Sequence, residues 1–327
     1  MRNYYERYKK YKDKYFELKL KNQTGGAIFQ ELKIMSWNVL ADAPLWKKKY
    51  ESMKKDKFIY WDYRKNLITD IISKHQPDIC LLCEVEHDKI LFFSQFCVEN
   101  NYGFIYTSSD PAKSKETLEK YMYYTNEKNP GILIIFKLDK LKLVNNLAPD
   151  YVNYFYNQQK EHNWSDKELK LRLHQCASNI ILFEKLDDTN NRFYFTGLHH
   201  PYVEDHEEIQ DEQIIFLLNK INKLNTNYKL PVIMAGDFNA KPSYRVYDIM
   251  NREGFSSAYK IINGVENTYT NSNSFTNQKM TLDYIFVNTK CQVKSVEQID
   301  SAYLDQVNIP NENFPSDHMY LIANISI

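Results

Sequence analysis

The amino-acid sequence predicts one mixed α/β domain in which layers of β-sheet pack between helices. Its 327 residues are enough to bury a large core, and 43% of them are apolar. From residue 30 onward, short apolar runs typical of strands alternate with longer amphipathic runs typical of helices. Because strand candidates lie on both sides of every helix candidate, we expect strands and helices to share a single core.

Eight short apolar runs are the strand candidates, and four longer amphipathic runs are the helix candidates. The predicted strands are Leu32–Asn38, Asp78–Val85, Gly131–Lys137, Leu173–Glu184, Arg192–His199, Pro231–Gly236, Asp283–Asn288 and Met319–Ile325. The predicted helices are Trp61–His75, Asp88–Glu99, Glu207–Leu224 and Ser243–Arg252. The third helix shows a single core-facing stripe, formed by Ile209, Gln213, Phe216, Leu217 and Ile221.

The first 26 residues are predicted to form a segment of their own, before a domain that spans residues 27–327. Residues 1–22 contain eight Lys or Arg and three acidic residues. Large side chains recur there with heptad spacing, at Tyr4, Tyr8, Tyr11, Tyr15 and Leu18. We expect a basic, tyrosine-rich helix that ends in a Gly25-Gly26 hinge. It is either a solvated or loosely docked helix, or a surface that binds RNA or a partner protein.

Composition and charge exclude several classes of protein. The sequence contains neither a run of 18 uncharged apolar residues nor an apolar stretch near its start, so no membrane span and no signal peptide are predicted. With 42 basic and 42 acidic residues, the chain has no net charge to steer a polyanion. Five cysteines without a disulfide-framework spacing suit a reducing compartment. We therefore expect a soluble cytoplasmic protein.

Cys80 and Cys83 form a C-x-x-C pair inside a predicted strand. Residues three apart on a strand point to opposite faces of the sheet, so this pair cannot hold one zinc ion. We expect both thiols to be buried as small apolar side chains.

Polar side chains gather at the ends of the predicted strands, where α/β sheets place functional groups. They are four acids, two amides and two histidines: Asn38, Glu84, His199, Asp237, Asn239, Asp283, Asp317 and His318. Four converging carboxylates repel one another unless a cation lies between them. An oxygen-rich set of this kind suits Mg²⁺ or Mn²⁺. Taken singly, each residue also has an ordinary structural explanation, such as a turn, a helix cap or a solvated acid.

Six short blocks in a fixed order distinguish this set from a chance collection of polar residues. They are Trp37-Asn38-Val39-Leu40-Ala41, Cys83-Glu84-Val85-Glu86, Leu198-His199, Ala235-Gly236-Asp237-Phe238-Asn239-Ala240, Thr281-Leu282-Asp283-Tyr284-Ile285 and Pro315-Ser316-Asp317-His318. Their order resembles the endonuclease/exonuclease/phosphatase superfamily over residues 31–327. Further details, such as Gly131-Ile132 and Ser257-Ala258-Tyr259, are most similar to its deadenylase group, which includes the catabolite-repression deadenylase, nocturnin, the angel proteins and 2′-phosphodiesterase.

The resemblance implies a four-layer, DNase I-like sandwich: two mixed β-sheets flanked by helices, with the active site at one rim. It implies that Glu84, helped by Asn38, holds Mg²⁺ or Mn²⁺ against a phosphate oxygen. Asp237, oriented by Asn239, would take a proton from the attacking water.

The same resemblance assigns the remaining site residues. His318, held by a hydrogen bond to Asp283, and His199 would donate to the phosphate as charge develops. Asp317 would contact a second metal ion or orient the first. Substrate contacts are implied at Gln213, Phe275 and Thr276.

Two departures from the pattern of the group affect the expected site. Cys83 stands where the group usually has Gln before the metal-binding Glu, so the contact of that amide is lost or replaced. After His199 come His200, Pro201 and Tyr202 in place of basic residues, and six acids follow between residues 204 and 212. This loop argues against an NADP(H) phosphatase of the nocturnin type.

Basic and aromatic residues gather instead in a loop after the first strand. They are Trp46, Lys47, Lys48, Lys49, Tyr50, Lys54, Lys55, Lys57, Tyr60 and Trp61. The lysines would bind backbone phosphates and the rings would stack on bases, although a solvated surface loop has the same composition.

The sequence therefore predicts a Mg²⁺-dependent 3′-exoribonuclease or phosphodiesterase that acts on RNA ends, such as poly(A) or 2′–5′ oligoadenylate. A nucleotide or RNA-end phosphatase would use the same residues, and a catalytically silent module that binds RNA or protein is the alternative from another class. Heavy use of Lys, Asn, Ile and Tyr suggests an AT-rich genome. The N-terminal segment is similar to the openings of proteins from giant viruses of amoebae, and a viral enzyme would act in host cytoplasm or in the virion.

Overall fold

The computed structural model describes residues 31–42, 57–108, 130–173, 177–188, 191–202, 206–273, 278–297 and 309–327. Three predictions lie outside these ranges: the helix and hinge of residues 1–26, the basic loop up to residue 56, and the substrate contacts Phe275 and Thr276. Two six-stranded sheets, a short hairpin and seven α-helices make up the described part of the chain.

The first sheet is mixed. Its strands are β1 (Leu32–Asn38), β2 (Ile79–Glu86), β3 (Tyr102–Ser108), β4 (Pro130–Lys137), β13 (Gln292–Glu297) and β14 (Leu321–Ser326). The strand order is β13-β14-β1-β2-β4-β3. The central pair β1–β2 is parallel, whereas the other pairs are antiparallel.

The second sheet repeats this plan. Its strands are β5 (Leu141–Leu147), β6 (Ala177–Lys185), β7 (Arg192–His199), β8 (Val232–Asp237), β9 (Phe255–Ser257) and β12 (Asp283–Asn288). In the order β5-β6-β7-β8-β12-β9, the pair β7–β8 is parallel and the others are antiparallel. A separate hairpin joins β10 (Asn271–Asn273) to β11 (Gln278–Met280).

Seven helices connect the strands. They are α1 (Trp61–His75), α2 (Ile90–Glu99), α3 (Tyr151–His162), α4 (Asp166–Arg172), α5 (Glu207–Leu224), α6 (Arg245–Arg252) and α7 (Ala258–Asn263). Local sequence sets several of their ends. Ser165 forms a capping box with Glu168 at the start of α4, and Gly264 ends α7 in the left-handed conformation.

The two sheets pack face to face, with helices on both outer faces. Between the sheets, Ile34 and Ile134 of the first belong to one buried cluster with Phe195 and Ile285 of the second. Residues of α1 and α2 pack on the outer face of the first sheet, and residues of α5 and α6 pack on that of the second. Burial of each large apolar side chain stabilises such a core by about 1.5–3 kcal/mol. These layers confirm the predicted four-layer sandwich.

The C-x-x-C residues lie on opposite faces of β2, as expected. Cys80 is buried in the cluster under α1 and α2, whereas Cys83 is buried between the two sheets. Both are free thiols. The pair is therefore part of two separate apolar layers.

Several predicted element boundaries are wrong, most by one or two residues. The strand predicted from Leu173 begins only at Ala177, because the capping box at Ser165 starts α4 and Leu173 ends that helix. The helix predicted from Asp88 begins with a 3₁₀ turn, His87–Lys89, before α2. The helix predicted from Ser243 begins at Arg245, after Tyr244. No helix in the described ranges is both long enough and apolar enough to cross a bilayer.

Candidate active site

The ends of five strands bring the predicted site residues to one rim of the sandwich. In the first sheet, Asn38 at the end of β1 pairs with Cys83 on the parallel strand β2. In the second sheet, Asp237 at the end of β8 pairs with His199 at the end of β7 and with Asp283 at the start of β12. A hydrogen bond between the side chains of Asn38 and Asp237 joins the two sheets directly.

Glu84 occupies a β-bulge in β2. The register with β4 shifts between Cys83 and Val85, and Glu84 has a positive φ of 64°. Such a backbone is uncommon for a residue with a Cβ, and bulges re-aim the side chains they carry. Here the carboxylate accepts from Asn38 Nδ2 at 2.9 Å and from the Ala41 amide at 2.8 Å.

Asn38 fixes the positions of two carboxylates. Its Nδ2 donates to Glu84 Oε1 and to Asp237 Oδ2, each at 2.9 Å, so these two oxygens lie no more than about 5.8 Å apart. Its Oδ1 accepts from the Leu40 amide at 3.0 Å, which holds the side chain in one orientation.

Asp237 lies at the centre of the network. Its Oδ1 accepts from the backbone N–H of Asn239 at 2.8 Å, so the orienting role of the Asn239 side chain stays a prediction. The Nε2 atoms of His199 and His318 lie 3.7 and 3.8 Å from its Oδ2. Because Asp237 is only 1% exposed, water screens its charge weakly.

Gly236 lets β7 and β8 approach closely beside Asp237. Its φ is 153°, and a Cβ at this position would lie 1.9 Å from the carbonyl oxygen of Leu198. A larger residue would force the two strands apart and separate Asp237 from His199.

His318 is held by a chain of hydrogen bonds. Its Nδ1 lies 2.9 Å from Asp283 Oδ2, which also accepts from Thr270 Oγ1 at 2.7 Å. The Thr270 hydroxyl accepts in turn from the amides of Leu282 and Asp283. Since Nδ1–H donates to the Asp283 carboxylate, the other ring nitrogen, Nε2, faces Asp237 and the rim.

Neighbouring carboxylates keep His318 charged. Burial lowers the pKa of His318, but the negative charges of Asp283 and Asp237 outweigh burial and raise that pKa to about 10. Burial also raises the pKa of Asp283, an effect that His318 and Thr270 oppose. His318 is therefore protonated at neutral pH and can donate from Nε2.

The loop that carries Asp317 and His318 is tied to β1. Ser316 Oγ donates to the Asn38 carbonyl at 2.6 Å and accepts from the His318 amide at 3.1 Å. Trp37 Nε1 donates to the His318 carbonyl at 2.7 Å. Asp317 is 3% exposed, and its charge contributes to the raised pKa of His318.

A cation fits this rim. Ligand atoms of Asp237, Asp283 and His318 all lie within 4.8 Å of one another. Asp283 Oδ1 is buried without a hydrogen-bond partner in the described part of the chain, as suits a ligand atom. The predicted metal residues Asn38 and Glu84 join this group through Asp237. The oxygen-rich donor set is one that Mg²⁺ and Mn²⁺ prefer.

Sequence reasoning missed Arg64, a fully buried arginine in α1. Its Nη1 donates to the carbonyls of Val39, Leu40 and Pro315 at 2.7, 2.8 and 3.2 Å. Its Nε donates to the Ile59 carbonyl at 3.2 Å. Arginines in amphipathic helices are usually exposed, so no sequence pattern marks this one.

Two residues singled out in the sequence lie in the packed interior. Gln213 is 1% exposed, and its side-chain amide donates to the Arg172 carbonyl at the end of α4. Its contact with substrate stays a prediction. Cys83, in place of the usual Gln, directs its thiol at the Leu198 carbonyl, 3.4 Å away. Burial raises the pKa of this thiol, which stays protonated and bonds to β7.

His200 faces away from its neighbour His199. It is 2% exposed, packs edge-on against Phe238, and has no hydrogen-bond partner for either ring nitrogen among the described residues. Burial, with a smaller contribution from His199, lowers the pKa of His200 to about 3, so the ring is neutral. Its carbonyl accepts from Asn239 Nδ2 at 2.8 Å. Gln210 Nε2 donates to the Asn239 carbonyl at 3.0 Å and completes the support of this loop.

A cavity of about 500 Å³ lies next to the strand ends that carry Asn239 and Asp283. Its lining includes Lys241 and Lys279, along with Pro242, Ser243, Gln278, Met280 and Thr281. The Lys279 ammonium lies 4.6 Å from the centre of the Tyr269 ring. The two lysines of this cavity, each two to four residues along the chain from Asn239 or Asp283, can attract phosphate groups.

A sequence model of the endonuclease/exonuclease/phosphatase family matches residues 35–318. The chain belongs to this family. It is 26% identical over 287 residues to a probable CCR4-Not complex 3′-5′-exoribonuclease subunit Ccr4 of Vairimorpha ceranae, covering 81% of this chain and 58% of that protein. It is 25% identical over 315 residues to human nocturnin, covering 90% of this chain and 65% of that protein. The chain thus spans less than two thirds of the length of these curated relatives.

Solved structures of family members share the fold. The human nocturnin catalytic domain with bound sulfate matches with a TM-score of 0.65 at 22% identity, covering 90% of this chain and 94% of that one. ANGEL2, a 2′,3′-cyclic phosphatase, in complex with adenosine-2′,3′-vanadate matches with a TM-score of 0.65 at 18% identity, covering 90% and 95%. The predicted family fold is confirmed.

Proposed function

We propose that this chain is a Mg²⁺-dependent phosphodiesterase that removes nucleotides from the 3′ ends of RNA. The observation that carries the proposal is the setting of Asp237, a buried carboxylate with two imidazoles within 3.8 Å and an orienting amide at 2.8 Å. Such a group can deprotonate water beside a protonated donor. The relatives named as Ccr4 exoribonucleases support RNA as the substrate.

Asp237 acts as the base. The Asn239 amide holds Oδ1, and Asn38 holds Oδ2, so the remaining lone pairs of the carboxylate face the rim in a fixed direction. A water molecule beside it would lose its proton to Asp237 as its oxygen attacks phosphorus. The P–O3′ bond to the penultimate nucleotide breaks, the 3′ oxygen leaves as a protonated hydroxyl, and the terminal nucleoside 5′-monophosphate is released. Positioned base catalysis of this kind contributes about 10²–10⁴-fold in rate.

His318 and His199 serve the phosphate. The imidazolium of His318 would donate its Nε2 proton as negative charge develops on the phosphate oxygens, while Asp283 and Thr270 keep the ring in place. His199, 3.7 Å from Asp237, would donate from the opposite side.

A divalent ion, when bound, would supply Lewis-acid polarisation and charge neutralisation to the phosphate. Glu84, with Asn38, and the carboxylates of Asp237 and Asp283 would hold it. This division leaves the protonated His318 free for the phosphate. The negative charge of Asp317 would help to orient the ion and the residues that hold it.

The charges around the rim favour one path for the substrate. Lys241 and Lys279 line the cavity on one side. Glu207 and Glu208, in the first turn of α5, carry the opposite charge. A phosphate backbone is attracted by the lysines and repelled by the glutamates, so the RNA would extend over the lysine cavity.

The test is release of AMP from a labelled oligoadenylate, with and without EDTA. We expect wild-type protein to release AMP only with Mg²⁺ or Mn²⁺, and we expect Asp237→Ala and His318→Ala to abolish release while the thermal unfolding midpoint changes little. Asp248→Ala and His162→Ala, two exposed positions, are the matched controls and should cleave normally. Equal turnover by wild type and both site variants would remove the assignment and favour a silent binding module.

A second candidate is an RNA-end phosphatase. The match to ANGEL2, a 2′,3′-cyclic phosphatase, at the same TM-score as nocturnin favours it. A panel of poly(A), mixed RNA, 2′–5′ oligoadenylate, RNA with cyclic-phosphate ends, NADP and abasic DNA separates the two. Opening of the cyclic phosphate without AMP release would favour the phosphatase.

Two finer proposals concern the setting of the enzyme. We propose that residues 1–26 provide an RNA or protein contact and that the enzyme acts in the cytoplasm. The viral source suggested by composition finds no support among the relatives named above, which come from cellular organisms.

A further inference from the structure

We propose that Arg64 is a positioning residue that holds the metal side and the acid side of the active site in one geometry. The proposal rests on the function proposed above. It concerns a buried residue whose guanidinium donates to backbone carbonyls of two active-site loops.

On the metal side, Arg64 holds the loop that follows β1. The amide of Leu40 donates to Asn38, and the amide of Ala41 donates to Glu84. The carbonyls of Val39 and Leu40, in the same loop, accept from Arg64 Nη1 at 2.7 and 2.8 Å. Arg64 therefore fixes the peptide groups whose amides orient Asn38 and Glu84.

On the acid side, the same Nη1 atom reaches the loop before β14. It donates to the Pro315 carbonyl at 3.2 Å. The next residue, Ser316, bonds to both the Asn38 carbonyl and the His318 amide. One guanidinium nitrogen thus joins the support of Glu84 to the support of His318.

Leu40 explains why this loop needs such a support. Its φ is +62°, a conformation that costs free energy for a residue with a Cβ and persists only when the surroundings impose it. The Arg64 hydrogen bond to the Leu40 carbonyl is one of the contacts that impose it. Without this bond, the loop can relax and the Ala41 amide can leave Glu84.

The chemistry of arginine suits this position. A planar guanidinium presents several donors in fixed directions, whereas the ammonium of lysine is a single point charge. Arg64 is 0% exposed and donates to backbone carbonyls of both loops. Its positive charge still lies close enough to Asp42, Glu84 and Asp317 to interact with them.

The experiment compares Arg64→Lys and Arg64→Gln with wild type. Binding of Mn²⁺ without substrate is followed by electron paramagnetic resonance, and cleavage of oligoadenylate gives kcat and KM. Loss of residues that support metal ligands typically costs 10–100-fold in metal affinity or activity, so we expect the Kd for Mn²⁺ to rise about tenfold and kcat to fall about 10–100-fold. KM should change by less than about threefold, because Arg64 does not touch substrate.

Arg172→Lys is the matched control. Arg172 is also buried, bonds through its guanidinium to Glu212 at 2.6 Å, and stacks over Trp164 at 3.8 Å, away from the site loops. We expect its Kd for Mn²⁺ and its kcat to stay within about twofold of wild type. Ser316→Ala cuts the link between the two loops but keeps Arg64. It should change the Kd for Mn²⁺ and kcat in the same direction as Arg64→Lys, by a smaller factor. This variant replaces Arg64→Gln if that protein does not fold.

Two outcomes would overturn the proposal. The first is Arg64→Lys with a lower unfolding temperature but unchanged Kd for Mn²⁺ and unchanged kcat, which would make Arg64 purely structural. The second is wild-type protein that binds no Mn²⁺. Wild-type protein that binds Mn²⁺ but releases no AMP contradicts the proposed function alone, because the Mn²⁺ affinities still report on Arg64.

Discussion

The two sheets build their halves of the site in different ways. The first sheet presents Glu84 from a bulge with a strained backbone, and loop amides hold its half-buried carboxylate. The second sheet presents His199, Asp237 and Asp283 in one row of regular strand pairs, each of them almost completely buried.

The difference matches two tasks. In the proposed function, proton transfer needs donors and acceptors in fixed positions, and a rigid ladder of strand pairs provides them. Metal binding needs a carboxylate that is held in place yet open enough for the ion to keep its waters, and half-buried Glu84 meets both needs. The comparison therefore predicts that added metal rescues variants of the first sheet, whereas variants of the second sheet change the pH dependence and are not rescued.

The largest effect is expected for Asp283→Asn. The amide cannot replace the carboxylate that holds His318, so kcat should fall by roughly 10²–10⁴-fold. The carboxylate also raises the pKa of His318. Without it that pKa falls, so protonated His318 is lost at lower pH and the alkaline limb of the pH–rate profile moves toward acid. An unchanged alkaline limb in steady-state assays would contradict this role.

A loss that added metal partly restores is expected for Glu84→Gln. The neutral glutamine side chain keeps the shape of Glu84 and the bond from Asn38 but attracts a divalent ion less. The rate at limiting Mg²⁺ should therefore fall on the order of 10²-fold. Titration with Mg²⁺ and Mn²⁺ measures the recovery. Asp283→Asn assayed in the same titration is the comparison: added metal cannot replace the carboxylate that holds His318, so its activity should stay low. Equal responses of the two variants would erase the distinction between the sheets.

A smaller effect on the same proton relay is expected for Thr270→Val. The change removes the hydroxyl that donates to Asp283 and accepts from two amides. Unpaired buried groups cost about 1–3 kcal/mol, so the unfolding free energy should fall by that amount. Activity should fall about tenfold, as for other supporting residues. Thr69→Val, in α1, should change neither quantity in urea melts and assays.

The smallest effect is on the pH dependence of stability and concerns His200, the neighbour of His199. The folded-state pKa of His200 is lowered to about 3, from an ordinary value of about 6.5. Between these values the unfolded chain binds the extra proton, so the free energy of unfolding decreases as pH falls, with a limiting slope of about 1.4 kcal/mol per pH unit. His200→Phe should flatten the slope between pH 6 and 4 in urea melts. His162→Phe, at an exposed position, should leave it unchanged.

The inner strands and the helices α1, α2, α5 and α6 could be predicted from periodicity, whereas the edge strands and the helices α3, α4 and α7 could not. β1, β7, β12, α1 and α5 have the predicted bounds, because each buries a regular apolar face. All four edge strands of the two sheets, β3, β5, β9 and β13, were missed. In β5, six of the seven residues are exposed, so no apolar alternation exists for a sequence pattern to show.

In the site, the sequence identified the residues that ionise but not those that hold them. Asp237, His199 and His318 stand in sequence blocks that resemble those of the family. The structure brings Nε2 of both histidines within 4 Å of Asp237 Oδ2. The bulge at Glu84 and the Arg64 carbonyl bonds depend on strands and loops far apart in sequence. No local pattern records such contacts, since they exist only once the sandwich has closed.

The pairing of β1 with β14 has a consequence for synthesis. Leu32 lies opposite Ile325, and Trp37 bonds to the His318 carbonyl 281 positions later. The first strand of the described chain therefore stays without its antiparallel neighbour until residue 325 has been synthesised. The rim that gathers Asn38, Asp237 and His318 cannot close before that point.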